Sequence, residues 1–169
     1  MKKSLILLIL FLSGCLSPHQ ELFYKTCEIG SMSVYIKHDV NTAEKRLLQQ
    51  SVLAQSLMWE AANNKKIRPV NIYIFRENSI PCGKRKGRFS GAFFLGEQDI
   101  HVTMGDRYSI PSLYHELYHH ELYYSPLNAD TEHRDKRWKI WKQDQRAIVQ
   151  HIRKQRANLN WYEIYWSKE

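Results

Sequence analysis

The residues with the clearest capacity for chemistry are two histidines and a glutamate within five positions, His115-Glu116-Leu117-Tyr118-His119. On a helix, residues four positions apart share a face, so His115 and His119 can bind one metal ion at about 2.0–2.1 Å. Glu116 projects beside that ion, about 100° round the helix, where its carboxylate can take a proton from a metal-activated water. The spacing therefore predicts a metal site with an adjacent general base.

Two histidines do not complete a catalytic zinc site, which usually has three protein ligands and a water. His133 follows a polar loop that can turn the chain back over the motif helix, and we predict it as the third ligand. Asp130 and Glu132 in the same loop, and His120 beside His119, are the alternatives. Imidazole ligands suit several transition metals, and we favour one Zn²⁺ per chain over manganese, iron or cobalt.

The elements that must position these residues predict an α+β domain. Alternating apolar residues and helical spacing give, in chain order, a strand over 31–39, a helix from Asn41 to 63–64, strands over 68–76, 89–95 and 99–104, the motif helix over 109–124 and a helix over 135–157. We expect a small mixed sheet that packs on the N-terminal helix and the motif helix, followed by the long C-terminal helix.

Two of these helices carry further signals in the sequence. Asn41 with Glu44 three positions later is typical of a capping box. On the helix that begins at Asn41, we expect the buried face to consist of Leu47, Leu48, Val52, Leu53, Leu57 and Met58. On the C-terminal helix, we expect a buried stripe of Trp138, Trp141, Ile148 and Ile152.

The motif helix, the loop, His133 and the following Trp138 together resemble the zincin superfamily of HExxH metallopeptidases. Within it, the arrangement is similar to zincin-like lipoproteins and SprT-like proteins, in which a third histidine follows a loop. The metzincin pattern is absent, because Leu122 and Ser125 stand where that pattern has Gly and His. The gluzincin pattern is poor, because few glutamates follow the motif.

The resemblance implies a zinc-dependent peptidase in which a metal-activated water attacks the peptide bond and Glu116 is the general base. It also implies a strand near the site, over 89–95 or 99–104, that pairs with extended substrate backbone. A zincin needs a group that stabilises the oxyanion, and we predict Tyr123 for that role. Tyr108, Tyr124 and Arg134 remain alternatives.

The first residues predict export from the cytoplasm. Met1-Lys2-Lys3 precedes an apolar stretch over 4–12, which is typical of a secretory signal. Leu12-Ser13-Gly14-Cys15 resembles the lipobox of bacterial lipoproteins and implies a lipid on Cys15. We therefore expect a signal peptide over 1–14, a tether over 15–28 and the zincin-like domain over 29–169. Leu16 after the lipidated cysteine favours an outer-membrane lipoprotein that faces the periplasm.

The net charge of the chain indicates which kinds of molecule the protein contacts. The chain has 25 Lys and Arg against 17 Asp and Glu, and loss of Lys2 and Lys3 with the signal would lower the net charge from +8 to +6. Outside the cytoplasm this charge predicts contact with anionic envelope surfaces and not with nucleic acid. Cys27 and Cys82 remain after Cys15 is lipidated, and an oxidising compartment predicts a disulfide between them.

Two functions are therefore weighed. The first is a lipid-anchored zinc metallopeptidase that acts on peptide or protein substrates in the bacterial envelope. The alternative is a non-hydrolytic metal-binding or assembly lipoprotein that uses the same scaffold. The sequence leaves open the substrate and the bond that is cleaved.

Overall fold

The structure, a computed structural model, describes residues 23–36, 40–76, 80–82, 85–89, 91–94, 99–126 and 133–157, with the backbone alone for 80–82 and 85–89. The strands are β1 (Tyr24–Ile29), β2 (Met32–Ile36), β3 (Val70–Phe75), β4 (Ile80–Cys82), β5 (Arg85–Phe89), β6 (Gly91–Phe94) and β7 (Asp99–Thr103). The described helices are α1 (Thr42–Asn63), α2 (Leu113–Tyr123) and α3 (Trp138–Gln155). The predicted α+β class is confirmed.

Five strands form one mixed sheet in the order β1-β2-β3-β7-β6. β3 pairs in parallel with β2 and β7, whereas β1 and β6 pair antiparallel at the two edges. β3 reads VNIYIF and is buried on both faces, as a central parallel strand requires. β4 and β5 pair with each other in a separate antiparallel ribbon.

The two faces of the sheet have different chemistry. Aliphatic residues of β2, β3 and β7 face the helices and form the main core: Val34, Ile36, Ile72, Ile74, Ile100 and Val102. The opposite face is aromatic, with Phe23, Tyr73 and Phe75 in contact and Tyr35 stacked on Tyr73. The helices that carry the predicted site therefore pack on the aliphatic face.

Helix α1 begins and ends as the sequence predicts. The Asn41 side chain accepts a hydrogen bond from the Glu44 backbone N–H, and the Glu44 carboxylate accepts one from the Asn41 N–H, both at 2.9 Å. Asn64 ends the helix in the left-handed conformation with φ of 50°. The capping box is therefore confirmed.

The buried face of α1 differs from the prediction. Its buried residues are Glu44, Leu48, Ser51, Val52, Gln55, Ser56 and Trp59. Three residues that we predicted to be buried are exposed instead, namely Leu53 at 43%, Leu57 at 54% and Met58 at 46%. The helix is rotated relative to the apolar stripe, so that polar side chains face the rest of the domain.

These polar side chains hold the segment that leads into α2. The Ser51 hydroxyl donates to the Tyr108 carbonyl at 2.8 Å, and the Gln55 amide donates to the Ile110 carbonyl at 2.9 Å. The Gln55 side-chain carbonyl in turn accepts a hydrogen bond from the Tyr114 N–H at 3.3 Å. Helix α2 begins at Leu113 and not at residue 109, because this preceding segment is bonded to α1 instead of forming a helical turn.

Helix α3 lies within the predicted range, and its predicted stripe is confirmed. Trp138, Trp141, Ile148 and Ile152 are all at most 8% exposed. Just beyond the helix, the buried Arg156 guanidinium donates hydrogen bonds to backbone carbonyls of α1 and of the segment that leads into α2. The acceptors are Arg107 at 2.9 Å, Tyr108 at 2.8 Å and Leu47 at 2.5 Å. Burial lowers the pKa of Arg156 to about 10.

The N-terminal boundary needs correction. We predicted a tether over 15–28, but residues 24–28 belong to β1, which pairs with β2. β1 is mostly exposed and has no alternating apolar pattern, which explains why the sequence did not reveal it. Gly30, with φ of 60°, makes the turn between the two strands.

Cys27 lies in this edge strand as a free, half-buried thiol. β4, which contains Cys82, contacts β6 and β7 at the opposite side of the sheet. The structure therefore does not contain the predicted disulfide at Cys27, whereas the side chain of Cys82 lies outside the described residues. Burial raises the pKa of the Cys27 thiol.

Several predictions fall outside the described residues: the signal peptide over 1–14, lipidation of Cys15, and the alternative ligands Asp130 and Glu132. Among the helices that the structure describes, none combines the length and the apolar character that a membrane crossing requires.

Candidate metal centre

Three histidines converge at one point of the structure. His115 and His119 lie one turn apart on α2, and His133 precedes α3. Their Nε2 atoms are 3.1 Å apart in each of the three pairs. The predicted set His115, His119 and His133 is therefore brought together as one group with metal-ligand character.

The separations fit a transition-metal ion. In a tetrahedral site with metal–nitrogen distances of about 2.0–2.1 Å, two ligand nitrogens are about 3.3–3.4 Å apart, close to the observed 3.1 Å. Three neutral imidazoles also cannot satisfy one another by hydrogen bonds in a triangle, because each Nε2 is either a donor or an acceptor. A single cation can instead accept a lone pair from each of the three Nε2 atoms, so that all three nitrogens have a partner.

The protonation state of the group also suits a metal. Burial lowers the pKa of His115 to about 3, and the nearby charges of His119, His133 and Lys142 act in the same direction. An unprotonated imidazole is the form that binds metal ions. His115 is therefore held as a ligand without a proton to displace.

The backbone of His133 is strained. Its φ of 55° lies in the left-handed region, which costs a residue with a side chain roughly 1–2 kcal/mol. Strain of this kind concentrates at binding and catalytic sites, where it is offset by the interactions that it makes available. Here the left-handed turn brings the imidazole of His133 onto the other two histidines.

Trp138, the first residue of α3, packs against all three histidines. Its ring centroid lies 4.9 Å from that of His115, 4.7 Å from His119 and 4.4 Å from His133. Trp138 is 8% exposed and lies in the main core, so the indole links the candidate ligands to packed structure. It limits the rotation of the three rings.

Glu116 is buried next to the candidate ligands. It is 5% exposed, and its carboxylate accepts a hydrogen bond from the backbone N–H of Phe93 in β6. Burial raises the pKa of Glu116 to about 8, although the Phe93 N–H acts in the opposite direction. A bound cation would lower this pKa again toward neutrality, the range in which a general base works best.

Gly91 makes this close contact between β6 and α2 sterically feasible. A Cβ at position 91 would lie 2.6 Å from the Ser112 Cβ and 2.8 Å from Oε1 of Glu116. Both distances are below normal van der Waals contact. β6 can therefore approach the start of α2 closely only because residue 91 has no side chain.

We expect Gly91→Ala to destabilise the protein by about 1–3 kcal/mol, because β6 and α2 must separate to accommodate the methyl group. Urea unfolding of the metal-free protein measures this loss. Ser112→Gly removes the nearer clashing atom, so the double variant should lose less stability than the sum of the two single variants. Additive losses would show that the contact between β6 and α2 does not determine the effect.

Two other residues of α2 share the side of the helix that faces β6. Tyr123 packs edge-on against Phe93 with ring centroids 5.8 Å apart, and its predicted role with the oxyanion stays a prediction. His120 is 1% exposed and donates a hydrogen bond to the Pro69 carbonyl, while its Nε2 has no hydrogen-bond partner among the residues that the structure describes. His120 therefore packs at the sheet and is not part of the three-histidine group.

Sequence reasoning missed the contacts that support the site. Gly91 could have been noticed, because a glycine within a strand often marks a close backbone approach. The hydrogen bond from Phe93 to Glu116 has no sequence signal, since it joins positions far apart in the chain. Lys142, whose charge acts on His115, is indistinguishable in sequence from the other basic residues of α3.

No protein-family model matches the chain, and no curated protein sequence or solved structure matches it either. The class that the fold and the site define is thus an α+β protein with a three-histidine group that can hold a metal, two of whose members lie on one helix.

Proposed function

We propose that this protein is a zinc-dependent metallopeptidase that hydrolyses peptide bonds. The observation that carries the proposal is the three-histidine group with Nε2 atoms 3.1 Å apart, adjacent in sequence to the buried Glu116. A site that only stored metal would not need a buried carboxylate there, because burial of a charged group costs free energy.

A zinc ion held by His115, His119 and His133 would lower the pKa of a coordinated water to about 7. Glu116 then has the role of general base: its carboxylate takes a proton from the attacking water and delivers it to the leaving amine. The Phe93 N–H orients the carboxylate for both transfers. Tyr123 is the proposed donor that stabilises the oxyanion.

The sheet supports a place for an extended substrate. β7 is paired on both sides, by β3 and β6, so its backbone groups are already used. Among the strands that the structure describes, β6 pairs in this sheet with β7 alone, and the backbone N–H of its Phe93 donates to Glu116. Of the two strands considered from the sequence, β6 is therefore the one we propose to pair with substrate backbone.

The proposed location is the bacterial envelope, with the protein anchored by a lipid on Cys15 and facing the periplasm from the outer membrane. The basic n-region, the apolar stretch over 4–12 and the lipobox-like Leu12-Ser13-Gly14-Cys15 support it. The net positive charge supports contact with anionic envelope surfaces.

The alternative is a non-hydrolytic metal-binding or assembly lipoprotein. The exposed Leu53, Leu57 and Met58 on α1 favour this role, since neighbouring apolar side chains on a surface are typical of binding sites. The burial of Glu116 beside the histidines favours the peptidase.

The test is the zinc content and peptide hydrolysis of the full chain, purified in detergent. We expect about one zinc per chain, as in a three-ligand catalytic site, and measurable cleavage of a mixed peptide library. His115→Ala should lose both properties, whereas His151→Ala, which removes an exposed histidine of α3, should keep both. Full zinc content in His115→Ala would place the metal elsewhere, and zinc without cleavage would favour the non-hydrolytic alternative.

A further inference from the structure

Helix α3 runs along α2 with a basic residue beside the three-histidine group. At one end of this helix pair Trp138 packs on all three histidines, and about two turns further along α3 the Gln145 amide donates to the Pro111 carbonyl. Lys142 lies between these two contacts, one turn after Trp138, and is exposed. Its charge acts on His115. Lys142 is therefore exposed one helical turn from the tryptophan that packs on all three histidines.

The surroundings of Lys142 on α3 are also basic. Lys139 and Arg146 are exposed on neighbouring turns of the same side of the helix. The acidic Asp144 acts on Tyr114 and Tyr118, on the side of α3 that packs against α2. Asp144 therefore does not neutralise the exposed side of the helix.

The other acid near the start of α3 is already paired. Asp135 accepts hydrogen bonds from the Arg137 guanidinium at 2.8 and 3.0 Å. Among the described residues of α3 and the turn before it, Lys139, Lys142 and Arg146 therefore determine the charge of the exposed side of α3. These exposed basic residues attract negatively charged molecules to this side of the helix.

We propose that this site selects acidic peptides, and that Lys142 binds an Asp or Glu side chain of the substrate close to the bond that is cleaved. This inference rests on the proposed peptidase function and names its substrate class. A carboxylate bound there gains attraction from Lys142 and its basic neighbours, whereas a basic side chain is repelled.

Lysine suits selection by charge more than by shape. Its ammonium is a compact charge on a flexible stem, so it can follow carboxylates at neighbouring substrate positions. Arginine at the same position would keep the charge. The proposal therefore predicts that charge at position 142, and not the exact side chain, sets the preference.

The test compares two quenched-fluorescent heptapeptide libraries that differ only in Asp and Glu against Asn and Gln. We expect wild type in the zinc-bound state to cleave the acidic library with the higher kcat/KM. Lys142→Glu should lower the ratio of kcat/KM between the libraries about tenfold, equivalent to about 1.4 kcal/mol. Lys142→Arg should retain the wild-type ratio, and 0.5 M salt should reduce the preference by screening.

Lys154→Glu is the matched control, because it makes the same charge change at an exposed position in the last turn of α3, about 18 Å along the helix. Its ratio should equal that of wild type. Circular dichroism of each variant shows that the fold is retained. A ratio near one in wild type, or an unchanged ratio in Lys142→Glu, would overturn the inference while hydrolysis itself stands.

A binding measurement separates this inference from the proposed function. In zinc-bound Glu116→Gln, labelled acidic peptides should bind about tenfold more weakly when Lys142→Glu is added, and the Asn and Gln peptides should not. If wild type cleaves neither library, the peptidase proposal fails. If acidic peptides still bind in a way that depends on Lys142, the same recognition belongs to a non-hydrolytic protein. If they do not, the inference is overturned together with the peptidase proposal.

Discussion

Replacement of Glu116 by glutamine is expected to reduce peptide hydrolysis by about 10³-fold while zinc content stays at about one per chain. Glutamine has the same shape, and its side-chain oxygen can still accept the hydrogen bond from the Phe93 N–H. It cannot take a proton from the attacking water. Glu116 is not a member of the three-histidine group. The change should therefore leave in place the side chains that can hold the metal.

Steady-state kcat/KM on a cleavable peptide and zinc content of the same sample measure this result together. Glu121→Gln is the matched control, since it makes the same substitution on α2 at a residue that pairs with Lys65 at 2.9 Å. The control should retain hydrolysis within a factor of about three, because a surface ion pair contributes little. Unchanged hydrolysis in zinc-bound Glu116→Gln would show that another group acts as the base.

The parts of the fold that local chemistry determines could be predicted. The Asn41 and Glu44 capping box depends on residues three positions apart, and the buried stripe of α3 follows from helical periodicity. The strand predicted over 68–76 is observed as β3, whose succession of β-branched and aromatic residues suits its central place in the sheet. The two histidines of α2 follow from the same local geometry.

The buried face of α1 could not be predicted, because it depends on what packs against it. Periodicity finds apolar positions, but Ser51 and Gln55 face inward to bond the carbonyls of Tyr108 and Ile110. Those carbonyls would otherwise be buried without partners, which costs more than the exposure of a leucine such as Leu57. The requirement comes from a segment more than fifty positions away.

The supporting contacts of the candidate site were hidden for the same reason. Gly91 and Phe93 meet Glu116 only when β6 is placed at the sheet edge beside α2. The place of His133 in the three-histidine group was foreseen from the loop before it and from the resemblance that this loop and the following tryptophan carry. The left-handed backbone of His133 was not, because residues other than glycine seldom adopt that conformation and no local pattern marks it.

The expected role of His133 as a metal ligand and the strain of its backbone can be measured separately. We expect His133→Ala and His133→Gly both to weaken zinc binding by more than about 100-fold, a larger effect than loss of a group that only orients a ligand. In the metal-free state, however, His133→Gly should be about 1 kcal/mol more stable than His133→Ala, because glycine adopts a φ of 55° without strain. Zinc competition titrations and urea unfolding in chelator measure the two effects.

Asn64 provides the control. It has a φ of 50° at the end of α1, and it does not belong to the three-histidine group. Asn64→Gly should likewise be more stable than Asn64→Ala, with zinc affinity unchanged in both. Excess zinc should raise the free energy of unfolding of wild type and of the Asn64 variants but not of the His133 variants, because only a bound ligand stabilises the folded state. Wild-type zinc affinity in His133→Ala would instead assign the third ligand to Asp130 or Glu132.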